Sequence, residues 1–276
     1  MRLVFAVSSD ANAVALLESA RPPNLLLSYA YASSYAPIRY HPDLLLLDSG
    51  AFSAWNANKA TDLHGYGQFA QQLAATRNGL TYAINLDVIP GSVGKTSTAH
   101  ERELSMTDSL RNADMLRRRY QLPISEVFHQ DEPFEYLDCL VSRMPRDGIL
   151  CLSPRNDVSV AKRASWCWSV TDYWRKQFGG NLSRFPRCHG LAVTARECLE
   201  AFPFWSVDST TWAVAFRYGR KIRPDGAQID MTQVTGFPSS RVLAAQKIVV
   251  CQSMENLETL EQHATQLWSA RGVRWA

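Results

Sequence analysis

Leu44-Leu45-Leu46-Leu47-Asp48-Ser49-Gly50 runs four leucines into an aspartate, a serine and a glycine. A short apolar run without polar alternation reads as a strand covered on both faces, the signature of a parallel sheet. Working outward, similar runs occur at 3–8 (LVFAVS), 25–31 (LLLSYAY), 81–88 (TYAINLDV), 126–130 (EVFHQ), 148–153 (GILCLS), 188–193 (CHGLAV) and 204–208 (FWSVD). Helical patterns separate several of them. Residues 10–20 follow a Ser9/Asp10 cap, 61–77 begin at Thr61 or Asp62, and 97–120 carry apolar residues at 104, 106, 110, 113, 115 and 116. Segments 133–143 and 194–202 are shorter, 156–178 reads as a helix broken by loop, and the connection 32–43, with Pro37 and Pro42, carries no clear helix.

Eight strands alternating with helices imply right-handed βαβ crossovers and predict an α/β (β/α)8 TIM-like barrel, with an open doubly wound sheet as the alternative. Beyond the eighth strand, 238–271 reads as one or two helices packed outside. With no internal repeat or linker, residues 1–276 are expected to form a single domain, its core over about 1–225.

Composition narrows the function classes. Hydrophobic residues make up 46% and charged residues 20% of 276, which excludes wholesale disorder. The net charge of +3 neither demands nucleic-acid binding nor excludes a local basic groove. Apolar stretches fall short of the ~20 residues a membrane span needs, and the segment from Met1 to Val7 is too short and too weakly basic for a signal peptide. Six scattered cysteines without a C-x-x-C pair point to reduced cytoplasmic thiols, with neither a disulfide framework nor a structural zinc site.

In such a barrel the active site lies at the C-terminal strand ends. Those ends supply Asp48-Ser49-Gly50, Asp87, His129-Gln130, Ser153, Gly190 and Asp208. Any one aspartate there could simply cap a turn or helix. Three together, with Gln130, point to a convergent polar site. Two carboxylates can divide the work of nucleophile and general acid or base, as in exchange at a sugar anomeric carbon. Asp87 and Gln130 offer hydrogen-bonding groups suited to a flat heterocycle. A metal hydrolase would recruit His41, His129 and His189, but no His-x-His or His-x-x-x-His pair is present. Gly91-Ser92-Val93-Gly94-Lys95-Thr96 mimics the end of a phosphate-binding loop, yet Ile89 stands where the first glycine belongs.

Leu47-Asp48-Ser49-Gly50-Ala51-Phe52 resembles the Asp-Ser-Gly-Gly-(Phe/Tyr) motif of tRNA-guanine transglycosylases. Trp205-Ser206-Val207-Asp208-Ser209-Thr210-Thr211-Trp212 is closer to shorter, phage-associated relatives, the DpdA-type 7-deazaguanine DNA transglycosylases. Phe128-His129-Gln130, Leu152-Ser153-Pro154-Arg155-Asn156-Asp157 and His189-Gly190-Leu191-Ala192-Val193 follow in the family's order, so the resemblance spans about residues 44–212.

The resemblance implies base exchange through a covalent intermediate, with no cofactor and no catalytic metal. Asp208 would attack C1′ of a guanosine-type nucleotide, and Asp48 would act as general acid and then general base. Asp87 and Gln130 would bind the purine-like edge, helped by backbone groups of Gly190 and Leu191, and Ser49 would orient Asp48 or the sugar. The partners implied are guanine-containing DNA and a free 7-deazaguanine base such as preQ0, in a bacterial or phage-infected cytoplasm, with no membrane. Two departures stand out. Gln130 is followed by Asp131-Glu132 where the tRNA enzymes have a Gln-Gly-Gly-type turn. Past Asp208 only Cys251 and His263 remain of residue types that could form the tRNA enzymes' C-terminal zinc site, which favours DNA over tRNA. The alternatives are a tRNA-guanine transglycosylase, a hydrolytic nucleobase glycosidase and a non-catalytic nucleic-acid-binding barrel.

Arg217, Arg220, Lys221 and Arg223, with Trp212 and Tyr218 interleaved, are candidates for flanking phosphates and stacked bases. Arg155, at a strand end, is another phosphate candidate. Arg117-Arg118-Arg119 reads as a helix C-terminus complementing its dipole, and Trp166, Trp168 and Trp174 as packing residues. A leaving base hidden in a duplex would have to be flipped out or presented single-stranded.

Overall fold

The computed structural model describes residues 1–35, 38–76, 79–92, 95, 97–213, 220–225, 227–230 and 242–275. The leucine run forms β3 (Leu44–Asp48), between β2 (Asn24–Ser28) and β4 (Leu80–Ile84), all parallel. Alternate side chains take opposite faces of a strand. Leu44 and Leu46 accordingly point into an inner cluster with Val4, Leu26, Ile84, Val127, Cys151 and Trp205, while Leu45 and Leu47 join the larger layer between sheet and helices.

The remaining sheet strands are β1 (Arg2–Ala6), β5 (Ile124–Ser125), β6 (Val127–His129), β7 (Leu150–Ser153), β8 (Cys188–Gly190) and β9 (Ser206–Ser209). Their order is β5-β4-β3-β2-β1-β9-β8-β7-β6. The two ends of that order are consecutive in the chain, divided only by Glu126. Asn85 N–H donates to Ser125 O (2.8 Å) on one side, and Cys151 N–H donates to Glu126 O (2.8 Å) on the other. The fifth expected strand is therefore one bent stretch that brings the parallel sheet round into a TIM-like barrel, as the sequence predicts. The bend faces a buried ion cluster: the Glu126 carboxylate pairs with Arg117 and Arg143 from two flanking helices.

The helices are α1 (Ala11–Ala20), α2 (Ala51–Asn56), α3 (Leu63–Thr76), α4 (Ala99–Tyr120), α5 (Phe134–Arg143), α6 (Val160–Gln177), α7 (Arg196–Ala201) and α8 (Val242–Ala270). Asp10 caps α1 through Asn12 and Ala13 N–H, and Thr98 with Glu101 forms a capping box on α4. Arg117, Arg118 and Arg119 lie in the last turn of α4. Four details differ from the sequence expectation. The helix α6 is continuous from its Ser159 cap. Residues 29–31, read as the end of a strand, instead open a 3-10 helix, Tyr29–Ser34. The short α2 follows Gly50 directly, and a hairpin of β10 (Arg220–Ile222) and β11 (Gln228–Asp230) precedes α8, one helix among the described residues of 242–270. That helix docks on α7 through the buried Trp268, whose Nε1–H donates to Leu199 O at 2.7 Å. Among the described residues no helix is long and apolar enough to cross a membrane.

The buried face of α4 is Ser105, Ser109, Ala113, Leu116 and Tyr120, whereas Leu104 is exposed. These serines have a purpose there. Ser109 Oγ accepts from Val88 N–H (2.8 Å), Asn112 Nδ2 donates to Leu86 O (2.8 Å), and Ser105 Oγ donates to Val88 O. Together they strap the segment that carries Asp87. Likewise Tyr66 of α3, fully buried, shares its O–H between Leu47 O (2.9 Å) and Ile84 O (2.5 Å), pinning the ends of β3 and β4.

Candidate active site

Counting in twos up the inner face explains which groups meet. Leu26 leads to Ser28, Leu46 to Asp48, Val127 to His129 and Cys151 to Ser153, so these four interior columns end in polar residues. With Asp87, Leu191, Ala192 and Asp208 they line a cavity of about 480 Å³ at the C-terminal end of the barrel. A side lobe of about 230 Å³, lined by Trp55, Lys95, Gln130, Asp131 and Arg155, shares Phe52, Asn56, Ile89, His129, Ser153 and Asn156 with it.

Asp48 ends β3 in a tight turn: Gly50 N–H donates to its Oδ2 at 3.1 Å, and Gly50 adopts φ 78°. A Cβ at Gly50 would lie 2.9 Å from that of Ala30, so glycine is needed for both conformation and space. Burial pushes the Asp48 carboxyl up to about 6. The Ser28 hydroxyl, opposite Asp48 in register, favours the ionised form, though its Oγ has no hydrogen-bond partner at ordinary geometry. The charges of Asp208 and Asp87 add to the upward shift, and the Gly50 N–H opposes it.

Asp208 is nearly buried and differently held. Its Oδ1 takes Ala192 N–H at 2.9 Å and His189 Nε2 at 3.2 Å, and His189 Nδ1 meets Ser206 Oγ at 2.8 Å. Asp87 pairs with His129 Nε2 at 2.8 Å. Glu132, buried behind them, accepts His129 backbone N–H at 2.7 Å, and burial pushes its carboxyl up to about 7. Burial alone would lower the His129 pKa; the hydrogen bond to Asp87 and the nearby Glu132 charge outweigh it, and the net shift is upward.

Asp48, Asp87 and Asp208 thus share one chamber, and Gln130 faces the adjoining lobe. Ser49 and Gly190 do not line either cavity: each is one residue out of phase with the inner column and is buried on the other side. At Gly190 a Cβ would lie 2.8 Å from the Phe204 ring, so its place is a packing requirement. Leu191 lines the chamber, but its backbone N–H is spent on Leu152 O at 3.0 Å. Asp131 sits at φ 79°, a glycine-like conformation, and pairs with Arg155 at 3.3 Å.

The basic residues mostly have partners of their own. Arg155 is held by Asp157 through two bonds (2.9 and 2.6 Å) as well as by Asp131, and its backbone N–H donates to Gln130 Oε1 at 3.0 Å. Lys221 bonds to Gln252 Oε1 of α8 (2.7 Å), and Arg223 to Asp225 (2.9 Å). Neither they nor Arg220 line the cavity; Arg217 and Tyr218 lie outside the described residues. Trp212 is fully buried against Phe5 and donates to Ala6 O (3.0 Å), so it packs the core and cannot stack on a base. The exposed ring at the cavity rim is Phe52. Trp174 is buried and Trp166 stacks on Phe128, whereas Trp168 is exposed. His41 is exposed and away from the cavity.

No protein-family model matches the chain, and no curated protein matches it in sequence.

Proposed function

We propose that the chain is a DNA-guanine transglycosylase, a pentosyltransferase that exchanges guanine in DNA for a 7-deazaguanine base such as preQ0. One observation carries the chemistry: two carboxylates, Asp48 and Asp208, line one chamber and have different partners. Asp48 is pushed up to about 6, the condition of a general acid. Asp208 accepts the Ala192 N–H and lies against His189 Nε2, an arrangement suited to holding a carboxylate nucleophile in place. The choice of guanine and of DNA rests on the motif resemblance.

Asp208 attacks C1′ as the C1′–N9 bond breaks, and the electron pair on N9 takes the proton of Asp48. An ester joins Asp208 to the sugar. The incoming base then gives its N9 proton to Asp48 and attacks C1′, and the C1′–O pair returns to the Asp208 carboxylate. Asp87 and its His129 partner form the polar wall for the base, with Gln130 at the mouth of the lobe. The chamber is large enough to take a flipped base.

The test incubates the protein with guanine-containing DNA, with and without preQ0, and follows the nucleosides by mass spectrometry, with tRNA as parallel acceptor. Modified deoxyguanosine that disappears in Asp208→Ala and Asp48→Ala supports the reading. Product on tRNA alone replaces DNA as the acceptor, guanine release without added base makes the chain a glycosidase, and no product on either acceptor overturns the activity.

A further inference from the structure

His189 takes no part in the acid–base pair or the base wall and does not line the chamber, yet both of its ring nitrogens are engaged behind Asp208. Its ring is fully buried on β8, directly opposite Ser206 of β9. Both ring nitrogens are used, Nδ1 with Ser206 Oγ at 2.8 Å and Nε2 with Asp208 Oδ1 at 3.2 Å. The Ala192 N–H reaches the same oxygen at 2.9 Å, from a backbone at φ 53° that alanine rarely adopts. A carboxylate acting as nucleophile only accepts hydrogen bonds, so the transglycosylase reading requires a proton on Nε2 whatever the state of Nδ1. The Ser206 hydroxyl, able to donate or accept, satisfies Nδ1 in either case and fixes the ring plane.

We infer that His189 is the positioning residue of Asp208: with the Ala192 N–H it occupies Oδ1 and leaves Oδ2 as the oxygen that bonds to C1′. This rests on the transglycosylase reading of the chamber. In the ester, Oδ2 is the bridging atom and Oδ1 the carbonyl oxygen, still accepting both N–H groups. When the C1′–Oδ2 bond breaks, its electron pair restores a carboxylate whose charge is met by donors already in place. The same clamp therefore orients the nucleophile in the first half-reaction and stabilises the departing carboxylate in the second.

A histidine that merely filled the core would affect stability and nothing else. The experiment follows covalent trapping of guanine-containing DNA on the protein, and turnover with preQ0, in His189→Leu and His189→Gln. Leucine removes the donor. Glutamine offers an amide N–H to Oδ1 and a carbonyl to Ser206. The expected result is a loss of roughly 10²-fold in the rate at saturating DNA for His189→Leu, with KM within about threefold, and recovery to within roughly tenfold of the native rate in His189→Gln. A native rate in His189→Leu, or equal losses in both variants, overturns the assignment. Because His189→Leu removes a buried polar group and its folding is at risk, the ring nitrogens of His189 are also read by ¹⁵N NMR in the unaltered protein. A proton on Nε2 is expected, and an unprotonated Nε2 overturns the clamp. Failure of the native protein to trap DNA on any acceptor defeats the transglycosylase reading and the catalytic role of His189 with it; the ring spectrum then decides separately whether Nε2 holds Asp208.

Discussion

Two aspartates of the chamber are each coupled to an imidazole, and the two couples are built differently. His129 and Asp87 (2.8 Å) are backed by Glu132, a second carboxyl pushed up to about 7, so one wall holds two acids and a histidine whose own pKa is raised. His189 and Asp208 (3.2 Å) are backed by the neutral Ser206 hydroxyl and a backbone N–H. The first arrangement can change its proton count near neutrality and suits recognition of a heterocycle with donors and acceptors. The second fixes one oxygen of a carboxylate by donors set in the backbone and the adjacent strand, which suits bond formation at the other. On the proposed function, the same pair of side chains does different work according to its third partner.

The sharpest way to break this comparison is to remove each carboxylate. Asp208→Asn is expected to abolish covalent trapping, a loss of roughly 10³-fold or more, while Asp87→Asn leaves trapping detectable and raises KM for the base; intact-protein mass and nucleoside analysis separate the two. Equal losses would erase the distinction between the walls.

Next in size is the effect of pH. Guanine expulsion needs Asp48 protonated, so its rate should fall as pH rises through about 6, by roughly tenfold per unit above it. Resolution of the adduct by an incoming base needs Asp48 ionised and should rise across the same window. Single-turnover rates of the two halves, measured from pH 5 to 8, should mirror each other.

Stability then distinguishes the third partners. The Glu132 carboxyl has its folded pKa above the unfolded value, so its contribution is fully present below about 4.5 and is lost as pH rises through about 7. Glu132→Gln keeps an acceptor for His129 N–H and should stabilise the fold by about 1–3 kcal/mol at pH 8, with no gain at pH 4, as read by denaturant melts. Ser206→Ala, on the other wall, should cost about 1 kcal/mol in the same melts without that pH dependence.

Much of this was legible in the sequence. Unalternated runs such as Leu44–Leu47 announce strands covered on both faces, and aspartates directly behind them announce a polar end to the barrel. What escaped was phase. Ser49 and Gly190 adjoin residues that face the chamber, but one step along a strand reverses the face. Counting in twos from Leu26, Leu46, Val127 and Cys151 finds Ser28, Asp48, His129 and Ser153, so the signal was present for anyone who knew which leucines point inward. Sequence proximity misled in a second way. Lys221 and Arg223 follow Asp208 closely in the chain, yet the hairpin they occupy folds onto α8, and Lys221 bonds to Gln252 of that helix. Arg155 does reach the lobe, but its charge is shared with Asp131 and Asp157. The buried serines of α4 defeat apolar periodicity because that helix anchors a loop through hydrogen bonds.

One pairing in the sheet bears on how the chamber comes into being. The strand that carries Asp208 lies against the first strand of the chain, with Val4 opposite Asp208. Asp48 and Asp87 are delivered early in synthesis, at the end of β3 and just beyond its neighbour β4, two strands that can pair as they emerge. Asp208 joins them only when a segment some two hundred residues later returns to the N-terminus, the contact with the largest loop-closure entropy in the barrel. Any probe that responds to the assembled chamber is therefore a reporter of ring closure, and a nascent chain released before β9 holds Asp48 and Asp87 without Asp208.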